Sequence, residues 1–221
     1  ALVTPEHAAE MLATSTGILA ENWRESRPTG PAAVARWYEE NSEYYLYDLA
    51  QFHLAYKHIA FMRDVASLAR GRVLDFGAGI GDLALELARV GHETVYVDVD
   101  GRTKAFAAWR AEREWIPLVF ASDLDEVEGQ FDTIISLDVF EHLAEPEPVI
   151  DALVDRLAPG GRMIVTAAFG ATKAHPMHFD HDIDLGRFLA SRGLVDAKTF
   201  RMRHLCSEFL GKSNVLVFER R

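Results

Sequence analysis

The period of the apolar positions changes along the chain, marking a helical first third and an alternating strand–helix remainder. Thr4-Pro5-Glu6 has the form of a helix start, with Thr4 as N-cap and Pro5 at the first helical position. Residues 1 to 30 therefore read as a helix and a loop, broken at Ser26 to Pro31. Helical spacing resumes from Ala32 to Leu68 and carries Trp37, Tyr38, Tyr44, Tyr45, Tyr47, Phe52, Tyr56 and Phe61. Two compatible roles suit these rings: packing helices on a sheet and on each other, or lining a lid whose polar tips point inward. Tyr44, Tyr45 and Tyr47 are the candidates for such tips.

From Arg72 the pattern alternates. Short apolar runs at Val73 to Phe76, Thr94 to Val97, Pro117 to Ser122, Gln130 to Leu137 and Arg162 to Ala168 have strand length. Helical spacing separates them at Leu83 to Ala88, Arg102 to Glu114 and Pro146 to Ala158, the last closed by Pro159-Gly160-Gly161. A helix over Leu185 to Arg192, capped by Gly193, precedes two final strand candidates, Val195 to Met202 and Asn214 to Glu219. Strands alternating with helices, then two strands joined without one, predict an α/β fold: a parallel sheet finished by an antiparallel hairpin. The expected division is a helical cap over residues 1–68 and a core over 69–221.

The first strand–helix junction carries the chemistry. Gly77, Gly79 and Gly81 alternate after Asp75, Gly91 sits where a helix C-cap glycine belongs, and Asp98 ends the second strand. A strand, glycine loop, helix and strand with an acid at the second tip is a unit that holds an adenosine-containing ligand. A dinucleotide would set its pyrophosphate on the helix N-terminus. Here the spacing is Gly-x-Gly-x-Gly, and Asp75 and Asp82 flank the loop. Two carboxylates disfavour a pyrophosphate and suit a ligand bearing an ammonium and a sulfonium, which S-adenosylmethionine (SAM) carries.

The run from Arg72 to Asp100 resembles motif I of the class I SAM-dependent methyltransferases, with Asp98 at the position of that family's ribose-binding acid. The resemblance covers roughly residues 70 to 221. It implies a Rossmann-like, seven-stranded, mostly parallel sheet of order 3-2-1-4-5-7-6 with helices on both faces. It also implies cofactor contacts from Asp75, Gly77, Ala78, Gly79, Asp98, Val99, Asp123, Leu124 and Asp138, with Asp123 and Leu124 beside the adenine. Asp123 serves equally well as a helix N-cap.

Asp138-Val139-Phe140-Glu141-His142-Leu143, after the fourth strand, resembles the acid-x-x-Glu-His stretch of ubiquinone-biosynthesis O-methyltransferases and small-RNA 2′-O-methyltransferases. In those families this stretch and a later histidine are linked to a divalent metal. His175-Pro176-Met177-His178-Phe179-Asp180-His181-Asp182 supplies later histidines, and its Asp180-His181 pair is similar to a step in the RNA enzymes. Asp138 departs from the usual Glu of those families. Two arrangements stay open: a metal (Mg²⁺ or another divalent ion) on Glu141, His142 and His181, or a metal-free site with His142, His178 or His181 as base and Glu141 beside them.

Length and composition, 221 residues, nearly half of them apolar, suit one globular domain with an appendage. A net charge of −11 disfavours a broad nucleic-acid face. The single cysteine, Cys206, excludes an intrachain disulfide and reads as a small core residue. No signal peptide or long apolar span appears, which predicts a soluble cytoplasmic protein. Lys57, Lys104, Lys173 and Lys212 read as solvated, Trp109 and Trp115 as packing at helix edges, and His53 and His58 as structural. The resemblance implies SAM-dependent methyl transfer to an O or N nucleophile of a small molecule, giving S-adenosylhomocysteine (SAH). The rivals are an RNA 2′-O-methyltransferase, a non-catalytic SAM-binding module and a nicotinamide-dependent oxidoreductase.

Overall fold

The computed structural model describes residues 4–54, 56–197 and 215–221. Four helices come first: α1 (Pro5–Ser26), α2 (Pro31–Glu40), α3 (Ser42–His53) and α4 (Tyr56–Leu68). Thr4 caps α1 as its sequence implies, its hydroxyl accepting from the His7 N–H. The alternating part follows as β1 (Val73–Phe76), α5 (Asp82–Arg89), β2 (Thr94–Val97), α6 (Arg102–Arg113), β3 (Val119–Ala121) and β4 (Phe131–Leu137). It ends with α7 (Pro146–Asp155), β5 (Leu157–Thr166), α8 (Leu185–Ser191), β6 (Leu194–Asp196) and β7 (Leu216–Arg220).

The seven strands lie in the order β3-β2-β1-β4-β5-β7-β6, parallel except for β7, which runs antiparallel to both of its neighbours. This is the order the resemblance implied. The expected strand end at Met202, together with Asn214, Cys206 and Lys212, lies outside the described residues, as does the side chain of Lys57.

Successive strand residues point to opposite sheet faces, and both faces are covered. Leu74, Ile134, Met163 and Val165 pack with Ile150 and Leu153 of α7 and Leu185 and Leu189 of α8. Their chain neighbours Val73, Ile135 and Ile164 pack on the other side with Phe61 and Val65 of α4 and Leu83 and Leu87 of α5. Burial on both faces is why these strands read as near-continuous apolar runs. At α5 the terminal carbonyls are closed by Gly91, φ +99°, as the Gly91 N–H bonds Ala88 and the His92 N–H bonds Leu87.

Three local expectations change. The helix expected to reach Ala158 ends at Asp155, and β5 starts before Pro159-Gly160-Gly161 rather than after it. Proline lacks an N–H and Gly160 sits at φ +73°, so the chain bulges there, and the partner register jumps from Phe131↔Leu157 to Thr133↔Arg162. Of the two tryptophans expected to pack at helix edges, Trp115 does not: it is itself left-handed, φ +57°, just past the end of α6, and 92% exposed. Trp109 is half exposed, stacked on Phe106 and against Arg113. Lys104 is not solvated either: it is held by Asp100 and Ser122. No helix among the described residues is long and apolar enough to cross a membrane.

The helices before the sheet meet in an aromatic cluster. Trp37 is buried, 4.9 Å from Trp23 and 5.0 Å from Tyr38, both edge-on, and Met177 from the loop after β5 enters the same cluster. Both expected roles of the aromatics therefore coexist, because one helix face packs and the next lines a cleft. On α3 the lining residues are Ser42, Tyr45, Asp48, Leu49, Phe52 and His53, a stripe at the three- and four-residue spacing of one helix face. Tyr44 and Tyr47 fall off that stripe, so of the three expected inward tips only Tyr45 lines the cleft, joined by Tyr38 from α2.

Candidate active site

Strands β1 to β5 all end at one cleft of about 790 Å³. It is lined by Asp75, Gly77, Ala78 and Gly79 after β1, Asp98 and Val99 after β2, and Asp123 and Leu124 after β3. Asp138, Glu141 and His142 follow β4, and His175 and His178 come from the loop beyond β5. Ligands of open α/β sheets bind at this edge because the chain leaves each strand there with free loops and helix N-termini.

The glycine loop is tightly built. The N–H groups of Gly77 and Ala78 bond Val97 and that of Gly81 bonds Ala78, while Gly79 donates to the Asp98 carboxylate. A Cβ on Gly79 would stand 3.0 Å from Leu49 of α3, so α3 lies directly over the loop. Asp75 is 4% exposed, and its Oδ2 is buried with no partner. Burial, then the nearby Asp98 charge, push its pKa up to about 7 against a stabilising N–H from Ala84. Burial likewise raises Asp98 to about 6, opposed by the N–H groups of Gly79 and Val99.

A raised carboxylate pKa has a definite stability signature. Its contribution is full below the unfolded value of 3.8 and is lost as pH rises through about 7. Asp75→Asn is therefore expected to gain on the wild type by about 2 kcal/mol between pH 5 and pH 8. Denaturant unfolding of both proteins at the two pH values measures it. A difference that does not move with pH would remove the assignment.

Asp82, one of the two acids flanking the loop, is already paired. Arg110 of α6 bonds one oxygen, and His53 Nδ1 lies 2.8 Å from the other. These partners hold its pKa below the usual range despite burial. Asp123 does cap a short 3-10 turn, accepting from the Asp125 N–H, and it lines the cleft at the same time.

Across the cleft, Asp138 adopts a left-handed conformation, φ +53°, which Asp tolerates better than most residues. Thr166 fixes it there: the Thr166 hydroxyl accepts from the Asp138 N–H at 2.9 Å and donates to its carboxylate at 2.8 Å. That turn sets Glu141 and His142 on a short 3-10 helix. Glu141 is fully buried; Oε1 accepts from the Ala168 N–H and Oε2 has no partner. Burial, then the Asp138 charge, raise it to about 7. His142 is pulled well below the ordinary histidine range by burial, then by His178 and His175. Burial and His175 bring His178 down to about 4. Both rings are thus neutral near pH 7. Nδ1 of His142 lies 2.7 Å from the Tyr38 hydroxyl, and the His142 and His178 rings meet edge-on at 4.6 Å.

Of the expected site residues, only His181 stands outside the cleft. Its Nε2 lies 2.8 Å from the Leu143 carbonyl, and its ring packs with Phe169 and Phe179. Two trios among the described residues have ligand atoms within 4.8 Å of one another: His53, His58 and Asp82, and, beyond β4, Glu141, His142 and His178 rather than Glu141, His142 and His181. The loop path decides this. The Phe179 N–H donates to the Glu141 carbonyl at 2.7 Å, turning the residue before it toward the cleft and leaving His181 beyond. Tyr38, Asp48, His53 and His58 line the cleft without having been expected to do so.

A family model described as a methyltransferase domain matches residues 37–208. Ubiquinone biosynthesis O-methyltransferase of Nitrosococcus oceani is 31% identical over 146 residues, 63% of this chain and 60% of that protein. Its counterpart in Roseobacter denitrificans is 33% identical over 158 residues, 66% of this chain and 64% of that protein. The chain thus spans less than two thirds of the length of these relatives. Magnesium protoporphyrin IX methyltransferase from Synechocystis PCC 6803 with bound SAH superposes with a TM-score of 0.62 at 21% identity, covering 91% of this chain and 94% of that one. The N-methyltransferase NodS from Bradyrhizobium japonicum with SAH gives 0.60 at 19%, covering 77% and 90%. At such identities these two likenesses speak for the fold. With the family match extending over most of its length, the chain belongs to the methyltransferase-domain family, among the class I SAM-dependent methyltransferases.

Proposed function

We propose that the chain catalyses SAM-dependent methyl transfer to an O or N nucleophile of a small molecule. The observation that carries this is the sharing of one cleft by the glycine loop with Asp75 and Asp98 and, opposite, by Glu141, His142 and His178. The buried, unpartnered Asp75 oxygen fits the cofactor, whose ammonium would complete it directly or through water. Gly77, Ala78 and Gly79 would line the methionine and ribose, Asp98 and Val99 the ribose, and Asp123 and Leu124 the adenine. Residues 1–68 serve as cap and 69–221 as core in this reading, with α4 packed into the sheet layer between them.

SAM supplies the electrophilic methyl carbon when bound, so the chain's residues have to align the acceptor and take its proton. His142 and His178 are neutral and face the cleft, which suits them as proton acceptors. Val34, Leu49, Phe52, Pro148 and Val149 give the acceptor an apolar surround. The relatives' name as ubiquinone-biosynthesis O-methyltransferases supports an oxygen nucleophile. Among the described lining residues there is no lysine or arginine, which disfavours an RNA acceptor. The single cysteine supports a reducing, cytoplasmic setting.

Calorimetry with SAH, followed by transfer of a labelled methyl group from SAM to a metabolite pool, tests the proposal. Binding with labelled product is the expected result. Binding without transfer to any acceptor would leave a sensing module, and no binding would end the methyltransferase reading.

The Glu141–His142–His178 trio favours a second version of the chemistry. An orphan carboxylate oxygen beside two neutral imidazoles is a donor set that fits Mg²⁺ or another divalent ion. Such an ion would act as a Lewis acid on the acceptor oxygen. On this reading a chelator abolishes turnover and added divalent metal restores it. Full activity after thorough chelation would leave the two histidines working without metal.

A further inference from the structure

The amino-acid end of SAM carries a carboxylate as well as an ammonium, on the same carbon. Whatever holds the carboxylate must therefore stand at the Asp75 end of the cleft. The first turn of α5 marks that end, since its Ala84 N–H reaches Asp75 and its Asp82 reaches His53. Among the described residues the side chains that usually hold a carboxylate do not reach it. Among the described residues no lysine or arginine lines the cleft, and the N–H groups of Gly77, Ala78, Gly79 and Gly81 are already bonded. Lys104 is occupied by Asp100 and Ser122. Arg110 is not a lining residue and is taken up by Asp82 and the Ile80 carbonyl.

Five histidines line the cleft, and they fall into two groups. His142, His175 and His178 gather at the β4 and β5 loops. His53 and His58 stand at the first turn of α5, where Asp82 meets His53, stacked with ring centroids 3.9 Å apart. Asp82 fixes the orientation of His53 through Nδ1, so its other nitrogen is the one left for a ligand. His58 Nε2 is buried with no partner. Burial and the neighbouring His53 hold this ring neutral, which leaves it one N–H to donate.

We propose that His53 and His58, at the junction of α3 and α4, form the site that binds the carboxylate of the cofactor's amino-acid end. His58 donates its unpartnered Nε2–H to the carboxylate, and His53, anchored on Asp82 through Nδ1, stacks against His58 and sets its plane. His53 in turn opposes the rise that burial causes in the Asp48 and Asp138 carboxyls, and the Asp82–Arg110 pair holds the arrangement from behind. Cofactor recognition then rests on an imidazole pair supplied by the cap side of the cleft, so cap and cofactor order each other.

The inference rests on the cofactor reading above, and one experiment separates the two. Calorimetry compares SAH with decarboxylated SAH, which keeps the adenosine, thioether and ammonium, on the wild type, His53→Gln and His58→Phe. The wild type is expected to prefer SAH by about tenfold or more, the scale of a charge-assisted hydrogen bond. Each variant is expected to lose that preference while binding the decarboxylated ligand as the wild type does. Variants that keep the preference, or that lose both ligands equally, overturn the His53–His58 site and leave SAM binding standing. A wild type that binds neither ligand overturns the cofactor reading itself.

Discussion

His142→Ala is expected to lower kcat by about 10²–10⁴-fold, the contribution of a well-placed general base, while SAH binds as to the wild type. The separation follows from position. His142 sits on the 3-10 turn after β4, across the cleft from Asp75 and the glycine loop, so its loss leaves the cofactor's partners untouched. Its ring is half-buried and neutral, and the Tyr38 hydroxyl holds Nδ1, which directs the other nitrogen's chemistry. His178, edge-on to it, is the nearest substitute. His178→Ala should therefore cost less than His142→Ala, and the double variant little more than His142→Ala alone. Steady-state kinetics with calorimetry on the same preparations decide this. A His142→Ala enzyme with unchanged kcat would move the base elsewhere.

The sequence showed the cofactor side of the cleft far better than the acceptor side, for a physical reason. Asp75, the three glycines and Asp98 lie within 24 residues and are placed by local geometry: strand, tight turn, helix, strand. Period and glycine spacing encode that directly, and the sheet order followed from it. The acceptor side is assembled from distant segments. Whether His178 or His181 meets Glu141 depends on where the loop after β5 is pinned, and the pin is a backbone bond from Phe179 to the Glu141 carbonyl. Nothing in the spacing of the histidines carries it. The same holds for α3, where Tyr45 and not Tyr44 faces inward because the helix is rotated to lay Leu49 on Gly79.

His53 and His58 show the opposite difficulty. Their neighbourhood is aromatic and helical, so a structural reading is natural, and only the folded arrangement stacks one ring on the other beside Asp82. Asp82 was visible but its charge was not, since the compensating Arg110 comes from the next helix. A carboxylate that looks free in the sequence is here the anchor of a histidine.

Gly77→Ala should abolish measurable SAH binding, a loss of about 100-fold or more, and destabilise the free protein by about 2–4 kcal/mol. Two independent costs meet at this residue. It sits at φ +73°, where a Cβ costs about 1–2 kcal/mol. That Cβ would also stand 2.3 Å from Cγ2 of Val139, and Val139 belongs to the turn that presents Glu141 and His142. The turn cannot simply retreat, because Asp138 beside it is tied to Thr166 through both backbone and side chain. The added methyl therefore pushes the cofactor loop and the acceptor turn apart. Val139→Ala should return part of the affinity to Gly77→Ala, since it removes the two nearest atoms and leaves the backbone strain and a Cβ contact at 3.1 Å. Calorimetry and thermal unfolding of the two single variants and the double variant measure both costs. Additive effects in the double variant would mean that Gly77 and Val139 are not in contact, and the two halves of the cleft would then not be fitted to each other at this point.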